Sequence, residues 1–453
     1  MRVFIYVFLA LFLVGCAPKS TVDNYRVVSE FKDEEFLVER EWYIGYQEFK
    51  LNELVSLGLK NNSDLKLSAL NIASAMARAG LVEADLYPTL SGSLSGESGR
   101  DISVQQEWRD SFNSNIMASY EVDLYGKIRD SVNSANWDVV ASEFDMESVK
   151  LNLVNSIVDS YFKALFINDS LRLLDENLQN YKKLYAITKA KRDYGRDSGI
   201  NLLELNKSIL NLESKILSYK KDRERNLELL RNLLNLKPEE SLKLESLNLE
   251  SLSLRDVAFQ GVDLSVPSYA ISNRPDLRKG ISSINSAFYN YKVSQKNFYP
   301  SLSLGASLTA SSDSFRGITE LDFLSGSVRL NLPFLDYKRL KENLKIKEIE
   351  FEKRVVEYER ALIKALNEVS LYYKEYEISL TNLALFEDIL KNSQSLSKLY
   401  LDKYNYGNAE LKDYLDAKNS EISARINLLN EKYKTLNSEI LIYKAMAGKF
   451  RSF

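Results

Sequence analysis

Two aspartates that could do chemistry follow a Gly-Asn pair near the end of this 453-residue chain. Asp413 and Asp416 come six and nine residues after Gly407, and because they are three apart they share one face of a helix. Paired carboxylates can transfer protons or bind cations. The chain has no histidine and one cysteine, Cys16, which argues against common metal sites, histidine-based nucleophiles and internal disulfides. No pocket signature accompanies the aspartates, so an enzyme is not expected.

The N-terminus reads as a secretory signal peptide over residues 1–15. Arg2 precedes an apolar run from Val3 to Val14, which is too short for a comfortable transmembrane helix. Leu13-Val14-Gly15-Cys16 looks like a bacterial lipobox, so we expect a covalent lipid on Cys16 and no other cofactor or metal. Ala17 follows the cysteine at the position where many bacteria have an aspartate as an inner-membrane retention signal, so we expect sorting to the outer membrane. The alternative is an ordinary signal peptide in which the cysteine is incidental.

Composition indicates a folded, helix-rich protein. The chain is 45% hydrophobic and 27% charged, with 17 glycines and 7 prolines, and no linker rich in Pro, Gly or Ser divides it. The formal net charge is −3, too close to neutral to suggest nucleic acid as a partner.

The sequence contains two copies of one unit. Asp64-Leu65 recurs as Asp276-Leu277, and Tyr194-Gly195 recurs as Tyr406-Gly407, each at an offset of 212 residues. So constant an offset predicts a duplicated structure. The predicted segments after the signal peptide are a lipid-anchored extended segment at 16–50, repeat 1 at 51–236, a connector at 237–268, repeat 2 at 269–447 and a tail at 448–453.

Each copy shows the same order of elements. A helix ends before a Tyr-Pro pair, which cannot continue it. Two strands with alternating apolar and polar residues follow, then a very long helix with a seven-residue apolar repeat, a Gly-containing break and a shorter helix. The predicted ranges are helices 51–86 and 269–298, strands 89–97, 112–124, 301–311 and 324–334, long helices 128–194 and 337–404, and final helices that end near 236 and 446.

The geometry of these elements predicts a tube. Strands of about ten residues suit a crossing of the membrane, but bacterial barrels begin at about eight strands. Four strands must therefore share their edges with other copies, and a ring of three copies supplies about twelve. Helices of nearly 70 residues reach about 100 Å and are too charged for lipid. The alternative for the strands is an ordinary half-buried sheet in a globular domain.

Several motifs together resemble those of the TolC-like outer-membrane factors, in the lipoprotein branch that serves multidrug efflux. They are the lipobox, "SNRPDL" at Ser272, the paired "YP", "DLYGKIR" at Asp123, "SYFKAL" at Ser160 and the two Gly-containing turns. The resemblance implies a membrane α/β-barrel: a homotrimeric tube with a 12-stranded outer-membrane β-barrel, four strands per chain, a periplasmic α-helical barrel and an equatorial belt.

The resemblance also implies a function and partners. We expect the exit duct of a tripartite efflux system, which passes small toxic compounds from an inner-membrane pump of the resistance-nodulation-division type, through a periplasmic adaptor, to the exterior. One alternative is an outer-membrane channel for type I protein secretion. Another is a lipid-anchored coiled-coil structural protein without a pore.

By this resemblance the two aspartates form the constriction at the periplasmic mouth of the channel, with six carboxylates near the threefold axis. The same distances from Gly195 lead to Asn201 and Glu204, so only one acidic residue follows the turn at Gly195 at these two positions. Tyr404 would hydrogen-bond across helices in the closed state. The alternatives are a solvated acidic face for the aspartates and simple packing for the tyrosine.

The Gly-containing turns are expected to be the tips of helical hairpins, where glycine permits the reversal. Asn408 and Ser198 are predicted N-caps of the helices that follow. The predicted docking sites for the adaptor are Gly195, Arg196, Ser198, Gly407 and Asn408; the alternative is a plain turn with no partner. Ala409 stands where the family can have an arginine that ties the closed state, so other contacts must hold this gate shut.

Overall fold

The computed structural model describes residues 17–28, 37–103, 107–195, 199–240, 252–263, 268–319 and 321–451. Cys16, Arg196 and Ser198 lie outside the described residues. The helices are α1 (Phe49–Asn61), α2 (Ser63–Ala84), α3 (Lys127–Asp193), α4 (Ile200–Leu233), α5 (Pro275–Lys296), α6 (Tyr337–Asn405) and α7 (Leu411–Ala445). The strands are β1 (Leu37–Glu39), β2 (Thr89–Gly99), β3 (Arg109–Val122), β4 (Ser301–Ser312), β5 (Phe323–Asn331) and β6 (Lys449–Arg451).

The chain divides into two compact units. The first unit comprises Met1–Lys32, Ser68–Asp145 and Asp276–Ala361, and the second comprises Asp33–Leu67, Met146–Pro275 and Leu362–Phe453. Among the described residues, no helix combines the length and the apolar character needed to cross a membrane.

The first unit holds an antiparallel sheet in the order β2-β3-β4-β5. Ile116, Leu308 and Leu324 lie in one cross-strand row, and Ser119 and Ser327 lie in a row on the opposite face. The predicted alternation therefore gives the sheet one apolar and one polar face. Within the described part of the chain, β2 and β5 pair on one side only.

The N-terminal segment, residues 17–28, packs along α5 in the first unit. The Tyr25 hydroxyl donates to Asn285 Oδ1 at 2.7 Å, and the Asp23 carboxylate accepts from Gln295 Nε2 at 3.1 Å. Earlier residues of the segment therefore contact later residues of α5. Residues 21–24 form a short 3-10 helix, so the expected extended conformation is wrong at this point.

The helix predicted over residues 51–86 is two helices, because Asn62 ends α1 and caps α2. Its Oδ1 accepts from the backbone N–H of Asp64 at 2.9 Å and of Leu65 at 3.1 Å. An asparagine cap replaces the backbone partners that a helix start lacks.

The second repeat breaks at the equivalent position. Residues Ser268–Asn273 form a 3-10 helix, and α5 begins at Pro275, where proline suits a first helical residue. Arg274, at the junction, follows Asn62 by the offset of 212 residues. The single helix predicted over 269–298 is therefore wrong, and the two repeats share a break.

The core of the second unit joins short peripheral segments to the helices. Trp42 and Tyr443 have ring centroids 5.1 Å apart, and both side chains belong to the largest cluster of buried apolar residues. The buried Asp169 on α3 accepts from the Ser253 hydroxyl and from the Leu254 N–H, each at 2.9 Å. These two bonds fix residues 252–263 against α3, and β1 pairs with β6 from the other end of the chain.

Candidate functional site at the hairpin tips

The second tip is a glycine turn that ends α6. Gly407 has φ +74°, the left-handed conformation that glycine adopts without strain. Its N–H donates to the Tyr404 carbonyl at 3.0 Å, and the Asn408 N–H donates to the Lys403 carbonyl at 2.8 Å. This pair of bonds is a Schellman motif.

The first tip has the same local backbone at the end of α3. Gly195 has φ +72°, and its N–H donates to the Arg192 carbonyl at 2.8 Å. Among the residues that the structure describes, only the chain neighbours of Gly195 have atoms within 4 Å of where a Cβ would stand, so conformation rather than space requires the glycine. Tyr194 before it is 83% exposed.

The predicted N-caps are wrong at both tips. Helix α7 begins after Glu410, which forms a capping box with Asp413; the Asp413 Oδ2 accepts from the Glu410 N–H at 3.0 Å. Asn408 lies two residues too early for the cap. At the first tip the N-cap is Gly199, in the left-handed conformation and without a capping side chain, one residue after the predicted Ser198.

Asp413 and Asp416 are both exposed but have different surroundings. Asp413 serves the capping box, whereas Asp416 is one turn further along α7. Partial burial raises the pKa of Asp416, the Lys412 ammonium opposes that rise, and the neighbouring Asp413 adds to it. Burial also raises the pKa of Tyr181 on α3, and the Asp416 carboxylate adds to that rise, which places Asp416 near α3.

The counterparts at the first tip, Asn201 and Glu204, are exposed on α4. Leu205, next to Glu204, packs in a small cluster with Leu184 of α3 and Leu415 of α7. A single chain therefore brings α3, α4 and α7 together at this level, with the acids of α4 and α7 on solvent-exposed positions. Tyr404 is 39% exposed, and its backbone carbonyl belongs to the glycine turn.

Sequence reasoning missed an ion pair beside the tips. Lys191 Nζ, in the last turn of α3, lies 2.6 Å from Glu410 Oε2 at the N-cap of α7. The residues are 219 positions apart, so no local pattern links them.

Comparison with known proteins identifies the family. The model of the family described as "Outer membrane efflux protein" matches residues 54–236 and 266–448. The two matches begin at positions that differ by 212, the offset found within the sequence.

Curated relatives match along nearly the whole chain. A Haemophilus influenzae protein without a described function is 31% identical over 97% of this chain and 96% of its own length. The "Toxin and drug export protein A" of Aggregatibacter actinomycetemcomitans is 29% identical, also over 97% of this chain and 96% of its own.

A solved structure shares the fold. The Campylobacter jejuni outer membrane channel CmeC superposes with a TM-score of 0.80 over 96% of this chain and 93% of its own, at 23% identity. The predicted resemblance, fold class and role in outer-membrane efflux are confirmed by these matches. The chain belongs to the outer membrane efflux protein family.

Proposed function

We propose that this protein is the exit duct of a tripartite efflux system, a trimer that carries small toxic compounds across the outer membrane without catalysing a reaction. One observation carries the proposal: a four-stranded sheet with an apolar face, a polar face and two edges that pair with no other described strand. Backbone groups cannot stay unpaired in lipid. Closure with other copies, β2 of one against β5 of the next, satisfies these edges.

Apolar residues on two helices support this trimer. Leu203, Leu210 and Leu217 on α4 recur every seven residues and are each more than half exposed. On α6, Leu371, Ile378 and Leu385 follow the same period and are also exposed. Such stripes are typical of coiled-coil seams, and a neighbouring copy would bury them.

Lipid attachment at Cys16 is supported by the course of the residues that follow it. Asp23 contacts Gln295 near the C-terminal end of α5, and β4 begins five residues after α5 ends. Because residues 17–28 run away from that end of α5, residue 17 lies on the side of the segment nearer the sheet. A lipid on Cys16 would then enter the membrane that the sheet crosses.

The partners in this proposal are a periplasmic adaptor and an inner-membrane transporter of the resistance-nodulation-division type. The adaptor would dock at Gly195, Arg196, Ser198, Gly407 and Asn408. Support comes from the exposed Tyr194 and Tyr406, which flank the two glycines; exposed aromatic residues are enriched in protein interfaces.

The gate in this proposal consists of Asp413 and Asp416, with Glu204, Asn201 and Tyr404 from the other helices. Its support is that the two aspartates are exposed in a single chain and would face each other across a threefold axis. Mutual repulsion there would favour bound cations.

The test combines assembly with conductance. The wild-type protein should run as a heat-modifiable trimer extracted with outer membranes, and form cation-blocked channels in planar bilayers. The double variant Asp413→Asn, Asp416→Asn should raise single-channel conductance and weaken the block, whereas Asp193→Asn, an acid at the end of α3, should change neither. A monomer without β signal would refute the duct, and unchanged block in the double variant would remove the aspartates from the gate.

Protein export is the second candidate, because the Aggregatibacter relative is called a toxin and drug export protein. Deletion of the gene separates the two. Sensitivity to small toxic compounds with normal protein secretion supports drug efflux, and loss of a secreted protein with unchanged sensitivity supports type I secretion.

A further inference from the structure

A cavity in the second unit lies apart from the hairpin tips. It is a half-open cleft lined by three segments: residues 252–263, the middle of α6 and the middle of α7. Its volume is about 390 Å³, within the range of small-molecule sites. A water molecule occupies roughly 30 Å³ in the liquid. If each non-hydrogen atom of a ligand, with its hydrogens, takes the same volume, the cavity holds about a dozen such atoms.

The floor of the cavity is apolar. Leu383 and Leu390 of α6 face Leu429 of α7, and Phe259 closes the side formed by residues 252–263. Leu383 and Leu429 are buried. An aliphatic chain would therefore find a hydrocarbon surface on several sides.

The side chains that line the rim carry more positive than negative charge, although further carboxylates stand behind them. Among the described residues, Arg255, Arg425 and Lys432 line the rim against Glu387. The Arg425 Nε is buried and has no hydrogen-bond partner among the described residues, although its guanidinium pairs with Glu421 through another nitrogen. A buried N–H without an acceptor is a donor that a ligand could satisfy.

Lys432 connects the rim to the floor. Its Nζ donates to the Arg255 carbonyl at 2.7 Å and lies 5.8 Å from the centre of the Phe259 ring. Burial lowers the pKa of Lys432, while Asp256, Asp169 and Glu387 oppose that change. An anionic group beside Lys432 would offset the cost of its burial.

The cavity lies away from the apolar seam on α6. At 100° per residue, Leu383, Glu387 and Leu390 point to one side of the helix. Leu385 and Leu399, which are exposed, point roughly half a turn away. A neighbouring copy that covers the exposed stripe therefore leaves the cavity open.

We propose that this cavity binds an amphipathic anion of about eight carbons, with its aliphatic tail on the leucine floor and its one acidic head between Arg425 and Lys432. The ligand would join residues 252–263 to α6 and α7. This site does not depend on the exit-duct function.

The test measures binding of radiolabelled octanoate by equilibrium dialysis to the full-length protein in a non-ionic detergent. We expect saturable binding of one octanoate per chain. Lys432→Met should weaken it at least tenfold, and Leu390→Trp, which fills the cavity, should abolish it. Octylamine, with the same tail and the opposite charge, should compete poorly.

Lys391→Met is the matched control, because Lys391 adjoins Leu390 but does not line the cavity. It should bind octanoate as the wild type does, and all variants should keep the wild-type heat-modifiable migration. Micelles take up octanoate equally in every sample, so the comparison uses the saturable fraction. The proposal is overturned by an absence of saturable binding, by equal binding in Lys432→Met and wild type, or by octylamine that competes as well as octanoate.

Discussion

The two hairpin tips share a backbone turn and differ in the helices that follow. Gly195 and Gly407 have nearly the same φ, +72° and +74°. Yet α4 exposes a leucine stripe, whereas most of the apolar side chains of α7 are buried. The two copies thus share the turn, but α7 is a packed helix and α4 is an edge helix.

The polar residues also differ between the two tips. The second tip carries the capping box, both aspartates and one end of the ion pair with Lys191. The first begins its helix at Gly199 without a capping side chain. We infer that the second tip is the more firmly held of the two, and four predictions test this difference.

The largest effect is expected from matched truncations in the two helices. Leu436 on α7 is 0% exposed and Leu210 on α4 is 57% exposed. Leu436→Ala should cost about 2–5 kcal/mol of unfolding free energy, because it leaves a cavity. Leu210→Ala should change the stability of the chain by less than about 0.5 kcal/mol but weaken the trimer.

Circular dichroism on heating measures the helices, and migration without heating measures the trimer. Equal losses of helix stability in the two variants would mean that α4 is as buried as α7.

The next effect concerns the cap at the second tip. Asp413→Ala should destabilise the first turn of α7 by about 1 kcal/mol, because the Glu410 N–H loses its acceptor. Asp413→Asn keeps an oxygen at that place and should cost much less. Hydrogen exchange of the amides in residues 411–416 measures both. Identical exchange in the two variants would show that the carboxylate charge, and not the cap, stabilises this turn.

The sequence predicted the regular elements better than their ends. Alternation placed β3 and β4 within a few residues, because a sheet with one apolar face imposes a period of two. The seven-residue repeat placed α3 and α6 equally well. The sequence did not reveal the breaks at Asn62 and Arg274, since an apolar helical period can continue across a one-residue cap or a short 3-10 turn.

The site was less predictable for a different reason. Cap preferences rank asparagine and serine above glutamate, which favoured Asn408 and Ser198. Glu410 is nevertheless the N-cap of α7, because Asp413, three residues later, accepts a hydrogen bond from its N–H. The contact of Lys191 with Glu410 depends on how α3 packs beside α7, and only the tertiary fold contains that information.

A smaller effect is expected from acidification. Because the pKa of Asp416 is raised, this group binds a proton at a higher pH than an ordinary aspartate, whose pKa is about 3.9. The folded state then binds that proton more tightly than the unfolded state does. The contribution of Asp416 to stability is therefore greatest at low pH and is lost as pH rises through its folded pKa.

For the channel, cation block should weaken as pH falls, beginning above the titration range of an ordinary aspartate. Block is measured in bilayers as a function of pH. The part of the decrease that occurs above the range of an ordinary aspartate, the early component, should be absent in Asp416→Asn and present in Asp413→Asn. An early component that survives in Asp416→Asn would assign it to another group.

The smallest effect is expected from the ion pair between Lys191 and Glu410. Both side chains are substantially exposed, 42% and 62%, so their coupling should be about 0–1 kcal/mol and should decline with salt. Glu410→Gln removes the charge but keeps an oxygen for the capping box, and Lys191→Met removes the other charge, so a double-mutant cycle isolates the pair. The cycle is measured by hydrogen exchange at the tips at low and high salt. Coupling that vanishes at high salt would show that charge links the end of α3 to the start of α7, whereas a salt-independent value would mean that packing around Leu184 and Leu415 holds the tip, with the ion pair only reporting their proximity.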